Sequence, residues 1–367
     1  MRGAETPNSN TLSESRRLWM IPNTGPPRMP GGTLKTRSIL AEERPRTCHR
    51  EPPVRRTIAV CAVIAALLLS ACATESEPIR ESRESLGTFV GVTAYLSSDG
   101  DEEAARFAVD QAYEAMAAIE AELDAHDPDS AIARSRGPES NALPVGAQEI
   151  LDAIDQLDVA GAFSPTLFDV VALYDFEGGG RVPTDEELAA ALESGRYDFG
   201  GATKGLALDR AIESLGRSSA IEAALVTAGS TTVTLGSKPD GEPWRIAIED
   251  PRDPDRQIGT IEARGPVRVS TSGDYQRYFE RRGVRYHHIL DPASGRPARG
   301  LRSLTVVGTV TGLQSDILST ALFVMGRERA MGYAKTRGLG LVLVDDKGRV
   351  HVVPGPDDAP WSIGIKE

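Results

Sequence analysis

From residue 223 onward the chain reads as a run of short strands, and this run limits the folds open to it. Strands are expected at 223–227, 231–236, 244–248, 266–270, 276–281, 284–290 and 304–310, where apolar and β-branched residues recur between turn-forming ones. Several are joined by only a few residues. Such a connection makes an antiparallel neighbour, because a parallel one needs a crossover of a dozen residues or more. Helical periodicity frames the run rather than alternating with it. "EEAARFAVDQAYEAMAAIEAELDAH" (102–126) is a long amphipathic helix, and residues 147–160 form a second. Thr184 and Glu187 in "TDEELAAALES" have the spacing of a capping box and open another. "QSDILSTALFVMGRERAMGYAKTRG" gives the last helices. "LGTFVGVTAYL" (86–96) adds an early strand, and "LGLVLVDD" with "GRVHVVP" a terminal hairpin. Helices gathered between runs of antiparallel strands predict an α+β fold rather than a doubly wound sheet.

The first 71 residues are of another kind. Residues 1–50 are rich in Pro, Arg, Ser and Thr without hydrophobic period, and read as disordered or as a wrongly assigned start, with Met20 and Met29 as other possible starts. In "RRTIAVCAVIAALLLSACA", Arg55 and Arg56 precede a short apolar run, Ile58–Leu69, followed by small residues. This is the pattern of a secretory signal, here 51–71, and is too short for a comfortable membrane span. "LSAC" (69–72) resembles a bacterial lipobox, which makes Cys72 the lipidated residue and 72–84 a tether to a domain at 85–367. The other cysteines are Cys48 and Cys61, so a chain cut before Cys72 has no disulfide. Residues 1–71 hold 11 Lys and Arg against 5 Asp and Glu, a net +6; with −12 for the whole chain, the remainder carries −18. That acidity argues against binding a nucleic-acid backbone.

Three stretches hold candidate chemistry. In "DFGGATKG" (198–205), the glycines allow close backbone approach and a helix beginning near Ala202 offers N–H groups to an anion. Asp198 and Lys204 flank it; a tight turn with a solvated lysine fits the spacing as well. In "SDILSTALF", Asp316 and Thr320 are one helical turn apart. Their oxygens suit Mg²⁺, although a cap and a back-bonded threonine give the same spacing. In "RYHHILDPASGRP", His287 and His288 alternate along a strand and so face opposite sides. One of them at most faces a given cleft, where it can act as a general base. Both also fit as ordinary strand residues.

"LGT", "DFGGATKGLALDRA", "STSGDYQRYFERRGVRYHHILDPASGRP" and "DILSTALFVMG" occur in that order, and together they resemble the FAD:protein FMN transferases, the ApbE family. The resemblance runs from about Ser85 to the C-terminus. It implies an ApbE-like fold related to the T-fold, with mixed sheets and packed helices. It also implies Mg²⁺-dependent transfer of FMN from FAD to a Ser or Thr hydroxyl of an acceptor protein in a membrane or extracytoplasmic redox system, with AMP released. Matched by motif, His288 is the catalytic histidine. Leu86, Phe163, Ser164, Asp198 and Lys204 lie on FAD, Leu86 standing where the family has Met. Asp316, Thr320 and the carbonyl near Gly201 hold the metal. The chain departs from the pattern at Ser164 (usually Asp), at Tyr174 (usually Trp) and at "TAGSTT" (227–232), where Gly-Gly-Asn is usual; these bear on the adenine and ribose contacts. The same residues would serve an FAD pyrophosphatase giving FMN and AMP, and a lipid-anchored flavin-binding protein needs no base at all.

Overall fold

The computed structural model describes residues 77–135, 143–159 and 161–366. The leader, the signal peptide, Cys72 and the first residues of the tether lie outside them.

Eight strands make the main sheet. In spatial order they are β1 (Ile79–Ser85), β2 (Thr88–Leu96), β3 (Ile221–Ala228), β4 (Thr231–Leu235), β7 (Arg268–Gly273), β12 (Leu301–Gly308), β13 (Gly340–Asp345) and β14 (Val350–Val353). A smaller sheet has the order β15 (Trp361–Ile365), β6 (Asp253–Ala263), β5 (Trp244–Asp250). Two short ribbons pair β8 (Tyr278–Arg281) with β9 (Val284–His287), and β10 (Leu290–Asp291) with β11 (Arg296–Pro297). Every pairing among the described strands is antiparallel, and the α+β expectation holds.

The helices are α1 (Glu102–Leu123), α2 (Ala131–Ser135), α3 (Val145–Leu157), α4 (Phe168–Tyr174), α5 (Asp185–Glu193), α6 (Gly200–Gly216), α7 (Gly312–Met325) and α8 (Arg327–Arg337). The main sheet is buried on both faces. Ala224, Val226, Val233, Leu304, Val306, Leu341 and Leu343 share one core with the helices. The intervening Ala223, Val269, Val307 and Val342 pack with Trp244, Ile261 and Trp361 of the small sheet. Two-sided burial explains why "LTVV" and "GLVLV" are continuous apolar runs rather than alternating ones.

Several boundaries differ from the sequence reading. Residues 79–84, expected as tether, form most of β1, which pairs with β2 from Ile79↔Ala94 to Ser85↔Thr88. β1 is an edge strand whose charged side chains, "IRESRES", mask a strand that only Ile79 anchors in the core. β6 and β15 are strands beyond those the sequence pattern predicts. The capping box at Thr184 is present: Thr184 Oγ1 accepts from Glu187 N–H at 3.3 Å and Glu187 Oε2 from Thr184 N–H at 2.8 Å.

Candidate active site

Helix α6 begins two residues earlier than its composition suggested, at Gly200. Asp198 Oδ1 accepts the Gly200 N–H at 2.8 Å, and the Asp198 N–H donates to the Pro165 carbonyl at 2.7 Å. The second bond ties the "GAFSP" loop to the helix start. There a Cβ on Gly201 would stand 3.2 Å from the ring of buried Phe163, so the glycine lets ring and helix meet. Ser164 Oγ lies 2.9 Å from Thr166 Oγ1 and accepts the Thr166 N–H at 3.2 Å, engaged within its own turn. Phe163, Ser164, Asp198 and Gly201 thus form one cluster. Lys204 stands one turn along, half-buried, with Nζ 3.4 Å from the Gly200 carbonyl.

Helix α7 crosses α6 at two glycines. A Cβ on Gly205 would come within 2.7 Å of Asp316 Cβ, and one on Gly312 within 2.7 Å of the Gly205 carbonyl. That close approach seats Asp316, only 5% exposed, between helix and sheet. Its Oδ2 accepts the Gly205 N–H at 2.9 Å and its Oδ1 the Thr231 hydroxyl at 3.1 Å. Asp316 is not the helix cap. Thr311 is, in a capping box with Gln314, and Asp209 accepts the Gly312 and Leu313 N–H groups at 2.7 and 2.9 Å. Desolvation pushes the Asp209 carboxyl above its usual range, against these two bonds. Nor does Thr320 bond back into its own helix: its Oγ1 lies 3.0 Å from Ser272 Oγ.

Further hydroxyls line this seam. Ser270 meets Ser315 at 2.8 Å, and Ser272 meets Ser319 at 2.9 Å. Thr231, Ser270 and Ser272 are not among the candidates that the sequence motifs single out. The signal was present in "STTVTL" and "VSTSG", strands bearing hydroxyls at positions that face a core. Among the described residues no three His, Cys, Asp or Glu side chains converge on a metal position. The donor set at Asp316 is one carboxylate, several hydroxyls and nearby backbone. The Gly205 N–H held by Asp316 is the ordinary helical partner of the Gly201 carbonyl. Hard oxygens with a single charge fit a Mg²⁺ that takes its remaining ligands from water and phosphate.

The two histidines take different partners. β9 ends at His287, and His288 lies in the bend beyond it. His287 is 3% exposed, bonds the Ala298 carbonyl through Nε2 at 2.9 Å and sits edge-on to Phe323. His288 is only partly covered. Its N–H donates to the Arg277 carbonyl at 3.1 Å, and its Nδ1 lies 3.3 Å from the same oxygen. With Nδ1–H donating, Nε2 keeps its lone pair. Desolvation holds the ring low, to about 3, helped by the positive charge of Arg277 and, more weakly, by neighbouring His287 and Lys204.

Beyond His288, "DPASGRP" turns on Asp291, whose Oδ1 accepts the Ala293 N–H at 2.9 Å. Tyr174 supports that turn from below. It is fully buried and donates its hydroxyl to the Gly295 carbonyl at 2.9 Å, so this departure from the family pattern falls on a packing residue. Leu86 occupies the two-residue β1–β2 turn with φ 55°, half-buried against the core. Thr88 beside it lies 3.4 Å from where a Gly229 Cβ would stand. The Leu86 turn thus adjoins the "AGS" turn, which leads into Thr231 and so to Asp316. No hydrogen bond joins Leu86 itself to the Asp198–Lys204 group.

The first turns of α6 meet the α7 seam at Gly205 and Asp316, and His287, beside the His288 bend, packs on Phe323 of α7. The sequence model of the ApbE family matches residues 86–343. The chain belongs to the ApbE family. A FAD:protein FMN transferase of Vibrio cholerae is 29% identical over 312 residues, 77% of this chain and 92% of that protein. One from Haemophilus influenzae is 29% identical over 320 residues, 78% of this chain and 91% of its own. The crystal structure of the Pseudomonas stutzeri flavinyl transferase ApbE, in its apo form, superposes with a TM-score of 0.64 at 31% identity, covering 75% of this chain and 94% of that one.

Proposed function

We propose that this ApbE-family chain is a FAD:protein FMN transferase. The observation that carries the reading is the convergence on α6. Gly205, next to Lys204, donates its N–H to the buried Asp316 carboxylate of α7, and Phe323 of the same helix packs on His287, the neighbour of His288. One helix turn therefore sets a cationic group beside a hard-oxygen site, as a pyrophosphate substrate requires.

The reaction follows from these parts. A Ser or Thr hydroxyl of the acceptor protein attacks the phosphorus on the riboflavin side of FAD. The new P–O bond forms as the bond to the AMP phosphate breaks, and AMP leaves with the electron pair. His288 Nε2 takes the hydroxyl proton. Lys204 and the N-terminal turn of α6 offset the phosphate charge. Asp316 and Thr320, with the Gly201 carbonyl, would hold a Mg²⁺ ion; when bound it neutralises charge on the pyrophosphate oxygens. Phe163, Ser164, Asp198 and Leu86 flank the positions that the rings and ribose of FAD would take.

The acceptor belongs, on this reading, to a membrane or extracytoplasmic redox system. The support is the Arg55–Arg56 pair, the short apolar run and "LSAC" at 69–72, which together would place the enzyme on a bacterial membrane, anchored through Cys72 and facing the periplasm or cell exterior. Incubation of the purified protein with FAD, Mg²⁺ and a candidate acceptor tests the function. In-gel flavin fluorescence on the acceptor band is the expected result. Free FMN without labelled acceptor identifies a pyrophosphatase, and unchanged FAD a storage protein.

A further inference from the structure

Helices α6 and α7 meet through one pattern used twice. Gly205 and Asp209 are four positions apart on α6, and Gly312 and Asp316 are four apart on α7. Residues at that spacing lie on one face, about a turn along the axis. Each glycine faces the other helix. A Cβ on Gly205 would collide with the Gly312 carbonyl, and one on Gly312 would lie 2.7 Å from the Gly205 carbonyl. Each aspartate then reaches across to the glycine opposite. Asp209 Oδ1 accepts the Gly312 N–H at 2.7 Å, and Asp316 Oδ2 accepts the Gly205 N–H at 2.9 Å. Together the two bonds form a reciprocal clasp.

Its halves are unequal. Gly312 and Leu313 open α7, so their N–H groups have no acceptor in their own helix. Asp209 takes both, the second through Oδ2 at 2.9 Å, and its charge suits the positive end of a helix. Arg268 sets a positive charge against the desolvation of that carboxylate. Gly205 lies inside α6, where a regular helix gives its N–H to the Gly201 carbonyl. The Asp316 bond competes with that one. The firm half of the clasp is therefore Asp209, and the contested half is Asp316, the carboxylate assigned to the metal.

We propose that Asp209 is a positioning residue for the site. By fixing the first turn of α7 on α6 it keeps Asp316 on the Gly205 N–H, which leaves the Gly201 carbonyl without its helical donor and open to an ion. The consequence for the metal rests on the transferase reading; the clasp itself does not.

Hydrogen exchange at single-amide resolution, on the full chain without metal or FAD, tests the clasp. In the wild type the Gly205 and Gly312 amides should be protected alike, within about threefold, because opening either half releases the other. Asp209→Asn keeps the shape but can accept only one of the two N–H groups. It should speed exchange at Gly205, whose N–H bonds Asp316 and not residue 209, by about tenfold, the worth of one hydrogen bond. Thr311→Ala is the control. It removes the side-chain cap from the same end of α7 and leaves Asp209 in place, so it should lower the melting temperature while Gly205 exchange stays near wild type. In transfer assays, half-saturating Mg²⁺ should rise about tenfold in Asp209→Asn, as for loss of an outer-shell partner, and stay unmoved in Thr311→Ala. Unchanged Gly205 exchange or an unchanged Mg²⁺ requirement in Asp209→Asn would each overturn the proposal, as would equal shifts in Thr311→Ala. A wild-type Gly312 amide that exchanges freely while Gly205 is protected would also overturn it, and that comparison stands even if Asp209→Asn does not fold. An inactive wild type would contradict the transferase reading and leave the exchange rates to decide the clasp.

Discussion

At the scale of single residues the account rests on two adjacent histidines with different work. His288→Ala should leave FAD binding nearly intact and lower the transfer rate about a hundredfold or more, the usual loss for a general base. His287→Ala should leave the rate close to wild type and lower stability instead, by about 1–3 kcal/mol, because it removes a buried hydrogen bond and packing against Phe323. Rate and chemical-denaturation measurements on the two variants separate these outcomes; equal rate losses would contradict the division. The pH dependence has a definite sign. His288 is active when neutral, and in the free enzyme its pKa is held well below 6.5 by desolvation and by Arg277. The acid limb of kcat/KM should therefore lie below pH 6.5. Bound pyrophosphate brings negative charge to the same region and raises the pKa, so the limb of kcat should lie at higher pH than that of kcat/KM. Both limbs should be missing in His288→Ala. Alternation predicted different surroundings for the two rings, and they have different partners, the Ala298 and the Arg277 carbonyls, although the strand stops at His287. The hydroxyls on Asp316 were not legible. Thr231 is 85 positions away in sequence, and only the folded sheet brings it to the carboxylate.

At the scale of elements, the α6–α7 crossing sets the site. Gly205→Ala should force the helices apart, since the new methyl meets the Gly312 carbonyl and Asp316 Cβ. A loss of about 1–3 kcal/mol is expected from such overpacking, with a larger proportional loss of activity, because the displaced element carries Asp316. Thermal melting and turnover measured together test this; an unaffected rate in a destabilised protein would contradict it. Asp316→Asn probes the charge without the shape. Its amide can still accept from Gly205 and donate to Thr231, so the melting temperature should stay near wild type, while turnover at low Mg²⁺ should be lost and excess Mg²⁺ should restore little. Full activity of that variant at low Mg²⁺ would remove the metal assignment and leave Asp316 as a helix-to-sheet tie. The helices were readable because their caps and apolar stripes are local. β1 and β6 were not, for a physical reason: each carries charged side chains along much of its length, and only pairing to a neighbour makes it a strand.

At the scale of the whole molecule, the fold buries both faces of one antiparallel sheet and leaves function to one group of turns and helix ends. The family follows from 86–343; the proposed membrane anchor is a separate matter, argued from the sequence of 51–72. Cys72→Ser should move the protein from the membrane fraction to the soluble fraction, because stable anchoring needs several acyl chains. Sedimentation of the variant with membranes would contradict the lipobox reading and leave the enzyme reading untouched. The central claim is that this chain moves FMN to a protein hydroxyl with His288 as base. Its most direct test is the ratio of AMP released to flavin covalently bound on the acceptor, measured for the wild type and for His288→Ala under one set of conditions. One AMP for each bound flavin in the wild type, with both falling together in the variant, is the predicted result. AMP accompanied by free FMN and unlabelled acceptor, or a variant that labels at the wild-type rate, would contradict it.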